Sequence, residues 1–178
     1  SGSGATGEIM SADQLHAFER WLKDSQREVG DKPKFVVAGQ PIVPLSERFH
    51  QAAPLWRNED GFAGYPQSLD QIAEHILASG ARNLVFVGGD KHLSCLSELR
   101  ISSRGFEPQT VWQIVASGLY APMPFANSVE RDFAWDVERE LLLPHHSIRY
   151  VSSFLSAAQS HFVRLGVKLD GGSWRSSI

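Results

Sequence analysis

"LVFVGGDKHLS", Leu84–Ser94, is the stretch on which the reading of this chain turns. Leu84–Val87 is short, apolar and partly β-branched, as a strand buried on both faces should be. Gly88 and Gly89 follow; lacking Cβ atoms, they let the backbone turn sharply and approach a ligand closely. Asp90 and His92 then stand two positions apart, so in an extended segment their side chains point to the same side. A carboxylate and an imidazole leaving a strand end together make a fragment of a metal site. The oxygen suits hard cations; the imidazole suits zinc, iron or manganese. Two ligands do not hold a catalytic metal, which needs three or more from protein, and a two-metal site needs more. A blander arrangement fits the same spacing: Asp90 capping backbone N–H groups in a turn, with His92 facing solvent. The residues alone leave both open.

Upstream of this stretch, Ser68 and Gln71 form a capping-box pattern. Leu69, Ile72, Ala73, Ile76 and Leu77 draw an apolar stripe, and Gly80 sits where a C′ glycine ends a helix. Farther back, "KFVVAG" places a second two-sided buried strand at Phe35–Ala38. Strand, helix, strand predicts a βαβ unit with parallel pairing and a right-handed crossover. An earlier helix is predicted in "SADQLHAFERWLKDSQ", opened by a Ser11–Gln14 capping box, with Leu15, Phe18 and Leu22 on one face and Gly30 and Pro33 as its stop. The connection from Gly39 to Gln67 spans 29 residues and carries four prolines, a short helix near Glu47–Ala53, and "WRNEDGFAGYP". It leaves the C-terminal end of a strand, where open α/β sheets bind ligands. Trp56 and Tyr65 give it apolar mass to dock with.

Downstream, "TVWQIVASG" (Thr110–Gly118) reads as a strand and "APMPFAN" as a loop. Trp135–Leu143 reads as a short helix ended by Pro144. Val163, Leu165, Val167 and Leu169 share one face of a half-exposed antiparallel strand, with a turn at Asp170–Gly172 and Ser147–Phe154 as partner. There is no internal repeat.

The chain has 178 residues, 42% hydrophobic and 21% charged, with a net charge of -3. That is one domain's worth of ordinary globular sequence. It leaves no basic footprint for nucleic acid and no polybasic patch or apolar span for a membrane. Residues 1–8 read as a flexible lead or cloning scar, and 9–178 as the domain. They carry no signal-peptide pattern, which leaves the compartment open between cytoplasm and export. Cys95 is the single cysteine, so no internal disulfide forms; it enters an apolar run and reads as a buried, inert thiol.

The order of "MSADQLHAFERWL", "KFVVAGQPI", "DGFAGYP", "ARNLVFVGGDKHLS" and "VWQIVASGL" resembles the C-terminal half of the alkaline phosphatase D (PhoD-like) family, within the calcineurin-like metallophosphoesterases. The likeness covers about residues 9–120. It implies an α/β fold: the C-terminal half of a two-sheet sandwich flanked by helices, here with an antiparallel C-terminal strand pair closing an edge. It implies hydrolysis of phosphate mono- or diesters by a metal-activated hydroxide at a dinuclear centre of calcium, manganese, iron or zinc. Asp90 and His92 match the family's last ligand motif, as metal ligands and catalytic residues. Asp60 and Tyr65 match its loop, for substrate contact or loop docking. Lys91 offers a cation to phosphate or stays solvated. Gln40 fills the place where the wider family sets a histidine before a proline, and can offer an amide oxygen there or toward substrate.

The first-half ligands of the family, an Asp-x-His or Asp-x-Asp strand, a Gly-Asp segment and an Asn/Asp-His segment, have no counterpart before "SADQ". The expectation is therefore a truncated, cleaved or split product. Its site would be completed by a missing N-terminal half or a second chain, including a copy of itself. The rival expectation is a non-catalytic interaction module, an inactive phosphatase fragment that assembles with a partner. Half a sandwich would leave an apolar sheet face exposed for such a partner. Other residues rank lower. His145 and His146 are adjacent and cannot converge from one strand; His50, His75 and His161 read as loop, helix-flank and exposed-strand residues. Ser117–Gly118 lacks the Gly-x-Ser-x-Gly of a nucleophile elbow.

Overall fold

Ser11 opens the first helix as its spacing predicts. Its hydroxyl accepts from the Gln14 amide N–H at 3.3 Å, and the Gln14 carboxamide accepts from the Ser11 N–H at 2.9 Å. The pair satisfies two N–H groups that a helix start leaves without partners. The structure, a computed structural model, describes residues 8–45, 61–89, 93–116, 136–157, 164–170 and 173–177. Helix α1 spans Ala12–Val29 and turns out at Gly30, whose φ is 57°. Strand β1 (Lys34–Val37) follows, then a short 3-10 turn at Phe62–Gly64 and helix α2 (Pro66–Ser79). Strands β2 (Leu84–Gly88), β3 (Leu93–Ser102), β4 (Gln109–Val115), β5 (Arg139–Leu142), β6 (Ser147–Ala157), β7 (Gly166–Asp170) and β8 (Ser173–Ser177) complete the described elements.

Six strands form one mixed sheet in the order β1-β2-β4-β3-β6-β5. β1, β2 and β4 are parallel; β3 runs antiparallel to both β4 and β6, and β5 antiparallel to β6. The predicted βαβ unit is therefore present as β1-α2-β2. Both helices cover one face. Leu15 and Leu22 of α1 and Leu69, Ile72, Ala73, Ile76 and Leu77 of α2 share a core with Leu84, Phe86, Leu99, Val111, Ile148 and Tyr150. Each such side chain removed from water is worth roughly 1.5–3 kcal/mol of transfer free energy, so the stripe on α2 is the main anchor of the helical layer. Among the described residues the other sheet is the β7–β8 hairpin. The fold is α/β with a mixed sheet and a helical layer on one side.

Four sequence expectations change. The β1 strand is not buried on both faces: it is the sheet edge, and Phe35 and Val37 point away from the helices, Val37 at 85% exposure. Helix α2 does not use the Ser68–Gln71 box. Pro66, with φ already fixed and no N–H to satisfy, starts the helix three residues earlier, and Tyr65 takes the cap position without a side-chain bond. Ser68 is then buried inside the first turns and accepts from the Ile9 N–H at 3.3 Å. Arg139–Leu142, placed in a helix by its apolar residues, is strand β5, because its two faces alternate between the core side (Leu141) and solvent (Leu142) and Ser147–Tyr150 lies beside it. Ser147–Ala157 pairs with β3 and β5 rather than with the C-terminal strand, whose partner is β8. The anticipated helix near Glu47–Ala53 lies outside the described residues.

Candidate functional site

Three parallel strands deliver their C-terminal ends to one corner. The Ala38 N–H donates to the Val87 carbonyl at 2.8 Å, the Gly89 N–H to the Gly39 carbonyl at 3.4 Å, and the Ala116 N–H to the Gly88 carbonyl at 3.0 Å. Gly39, Gly89 and Ala116 are thus held side by side, and the next residue after Gly89 is Asp90. The glycines serve closeness rather than an unusual turn. Gly88 is still in β2, and neither Gly88 nor Gly89 has positive φ. A Cβ at Gly88 would sit 3.3 Å from the Ala38 and Gln40 carbonyl oxygens, tighter than neighbouring backbone tolerates without moving. The Gln40 backbone therefore packs onto the strand that leads to Asp90.

The loop after Gln40 is tied down from below. Gln113, buried in β4, accepts at its Oε1 from the N–H groups of Ile42 (2.6 Å) and Val43 (3.2 Å). Its Nε2 donates to the Ser97 hydroxyl at 3.5 Å, which in turn bonds Ser152 at 2.8 Å. A buried amide unable to reach water must spend its bonds inside, and here it spends them fixing the strand-to-loop exit. The opposite side of the loop returns through Gly61, where a Cβ would meet the Pro41 carbonyl at 3.3 Å and Gln40 Cβ at 3.8 Å. Phe62–Gly64 then leads into Tyr65, whose N–H donates to the Phe62 carbonyl and whose carbonyl accepts from Leu69. Tyr65 is accordingly the bonded junction between the 3-10 turn and the helix.

Of the residues singled out from sequence, Gln40 and Tyr65 are described and stand on this loop. Asp60, Asp90, Lys91 and His92 lie outside the described residues, as do His50, Trp56, His161 and Ser117–Gly118. Among the described residues no group of three His, Cys, Asp or Glu side chains is placed to hold a metal ion. The chemistry of the donor set at Asp90 and His92, one carboxylate and one imidazole, suits a divalent cation. Among the described helices none is long and apolar enough to cross a membrane.

Sequence reasoning missed a buried ionic cluster. His146 is buried in the turn between β5 and β6. Its Nδ1 lies 2.8 Å from Asp70 Oδ1 and its Nε2 2.9 Å from Glu74 Oε2, both on α2, while the His145 N–H donates to Asp70 at 3.0 Å. Each ring nitrogen thus faces a carboxylate oxygen of α2, so the ring ties the β5–β6 turn to that helix. Asp70 and Glu74, at i and i+4, offered the signal: a carboxylate pair flanking the apolar stripe of a helix. Cys95 is buried as expected. Burial pushes its thiol up to about 12, against a weak pull downward from the Ser97 hydroxyl 4.0 Å away, so it stays protonated and inert near neutral pH.

A family model described as PhoD-like phosphatase matches residues 3–156, most of the chain. Neither the curated proteins nor the solved structures contain a match to this chain.

Proposed function

Because the chain belongs to the PhoD-like phosphatase family, we propose that it hydrolyses phosphate mono- or diesters at a metal centre to which Asp90 and His92 contribute. The observation that carries this reading is the corner itself: three parallel strand ends bonded together, with Gly89 held against Gly39 and Asp90 next in the chain. Ligands of open α/β sheets bind at that end of the strands.

Members of the family are metal-dependent in general. Bound calcium, manganese, iron or zinc supplies positive charge that neutralises phosphoryl oxygens and makes water a better nucleophile. The chain's own residues do the rest. Asp90 and His92 hold the cation side of the site. Lys91 offers an ammonium to the phosphoryl group, and Asp60, Tyr65 and the Gln40 amide border the substrate from the returning loop. Two ligands are fewer than a catalytic metal needs, so the remaining ones come from a second polypeptide or an N-terminal half of the family fold. The test is to supply that upstream family segment, add manganese, calcium or iron, and assay a chromogenic phosphodiester. Turnover that Asp90→Asn with His92→Ala abolishes supports the reading; no turnover with any metal, or undiminished turnover in the double variant, refutes it.

A second reading rests on the outer face of β1. Phe35 and Val37 are solvent-exposed on an edge strand, and Lys34, which on many edges guards against pairing, is turned inward. Its ammonium donates to the carbonyls of Gly30, Lys32 and Arg82. In this reading the chain is a non-catalytic module that binds a partner chain through that edge. Metal content separates the two: a complemented, purified protein free of metal and inactive favours the module.

A further inference from the structure

The Gly39–Gln40 segment that packs on the double-glycine strand has a second neighbour. Its other side lines a cavity of about 330 Å³, open to solvent at one end, between α1, β1 and the 3-10 turn. The walls are apolar: Met10, Phe18, Val36, Phe62, Ile72 and Phe86. Polar side chains enter only as Gln14, whose carboxamide is already engaged in the α1 capping box, and Gln40. The space is about twice the ~150 Å³ that accepts benzene in an apolar protein interior, and at the small end of ligand pockets, which run from roughly 300 Å³ upward. It therefore fits a two-ring aromatic or a chain of roughly six to ten carbons.

We propose that this cavity is the subsite for the organic group that stays on the phosphate when the leaving group departs, so that the preferred substrates are phosphodiesters whose retained substituent is an aryl or medium-chain alkyl group. The inference rests on the phosphoesterase reading above and deepens it. Continuity argues for this occupant. The Gly39 carbonyl accepts from the N–H of Gly89, the residue before Asp90, and Gly39 itself lines the cavity. The recess therefore begins at the residue hydrogen-bonded to Gly89, which precedes Asp90 in the chain, and no charged side chain stands in its lining.

The experiment compares two diesters with the same leaving group, methyl 4-nitrophenyl phosphate and hexyl 4-nitrophenyl phosphate, on the complemented, metal-loaded protein. Since the leaving group is constant, the ratio reads the apolar contact alone. One methylene in a hydrophobic pocket is worth on the order of tenfold, and partial burial of five is expected to raise kcat/KM at least about tenfold in favour of hexyl. Met10→Trp and Val36→Phe, which fill the recess from two different elements, should cut that ratio below about threefold. Both variants are checked by thermal melting. A parallel arm needs no catalysis: 2-naphthol fluorescence should report binding to the wild-type chain and its loss in Met10→Trp. Turnover with a flat hexyl-to-methyl ratio overturns the subsite while the phosphoesterase reading stands. Failure to hydrolyse either ester overturns that reading and with it the subsite's role. Naphthol excluded from the wild-type chain means that the protein's own residues fill the recess, and also overturns the proposal.

Discussion

Replacing His146 with leucine should destabilise this chain far more than replacing its half-exposed partner Glu74 with glutamine. The ring ties the β5–β6 turn to α2 through two carboxylates of very different exposure: the Asp70 side chain is 10% exposed and that of Glu74 is 48%. Losing the bond to Glu74 costs little, about 0–1 kcal/mol, because water takes the place of the ring. Losing the bond to Asp70 removes a charge-assisted contact worth about 1.5–3 kcal/mol and strands a nearly buried carboxylate, for which deletion of a partner costs about 3–5 kcal/mol. The His145 N–H stays on Asp70 at 3.0 Å and softens that loss. The expected total is about 2–4 kcal/mol for His146→Leu, and below about 1 kcal/mol for Glu74→Gln. With a typical m value near 2 kcal/mol/M, urea unfolding should show midpoints lower by about 1–2 M and less than about 0.5 M, respectively. The double variant Asp70→Asn/His146→Leu should recover part of the loss, since the stranded charge is gone. If His146→Leu shifts the midpoint no further than Glu74→Gln, the assignment of a buried ionic tether is wrong.

Gly88→Val should cost about 1–3 kcal/mol and cut any phosphodiester turnover, because the new side chain collides with the Ala38 and Gln40 carbonyls and moves the strand end; unchanged melting and turnover would contradict the close-approach argument. Cys95 gives an alkaline signature. The folded chain holds the thiol proton up to about 12, whereas an unfolded chain releases it near ~8.5. Its contribution is intact below ~8.5 and is lost as pH rises toward 12, with a slope of at most about 1.4 kcal/mol per pH unit. Cys95→Val should flatten that limb in urea titrations between pH 8 and 11, and an identical slope in both proteins would refute it. Val37→Lys should weaken association with a partner chain or a second copy in sedimentation at micromolar concentration, without lowering the melting temperature; a wild-type chain that stays monomeric, alone and with the complementing half, would contradict the edge reading.

The βαβ unit was legible because its signals are local: an apolar run, a stripe at helical spacing, and Gly80, which takes φ 62° where the helix ends. Where two signals competed, the stronger constraint won, and Pro66 overruled the Ser68 box. The edge position of β1 was not legible, since a four-residue apolar strand reads the same whether one face or two is covered; only topology decides. Strand β5 was misread because four residues carry too little periodicity, and its identity comes from β6 beside it. In the candidate site, the Asp90–His92 pair stood out by composition and by family likeness. The supports did not. Gln113 is one amide in an apolar strand, and its partners are 70 and 71 residues away. His146 likewise meets Asp70 and Glu74 across more than 70 residues. Such long-range polar pairs leave no periodic trace along the chain.

The central claim is that the glycine corner presents two metal ligands, and metal retention tests it most directly. The complemented protein is loaded, freed of loose ions by gel filtration, and its metal measured against protein concentration. Stoichiometric metal in the wild type and its loss in Asp90→Asn/His92→Ala is the predicted result. Equal metal content in both would show that the cation, if the protein holds one, sits elsewhere.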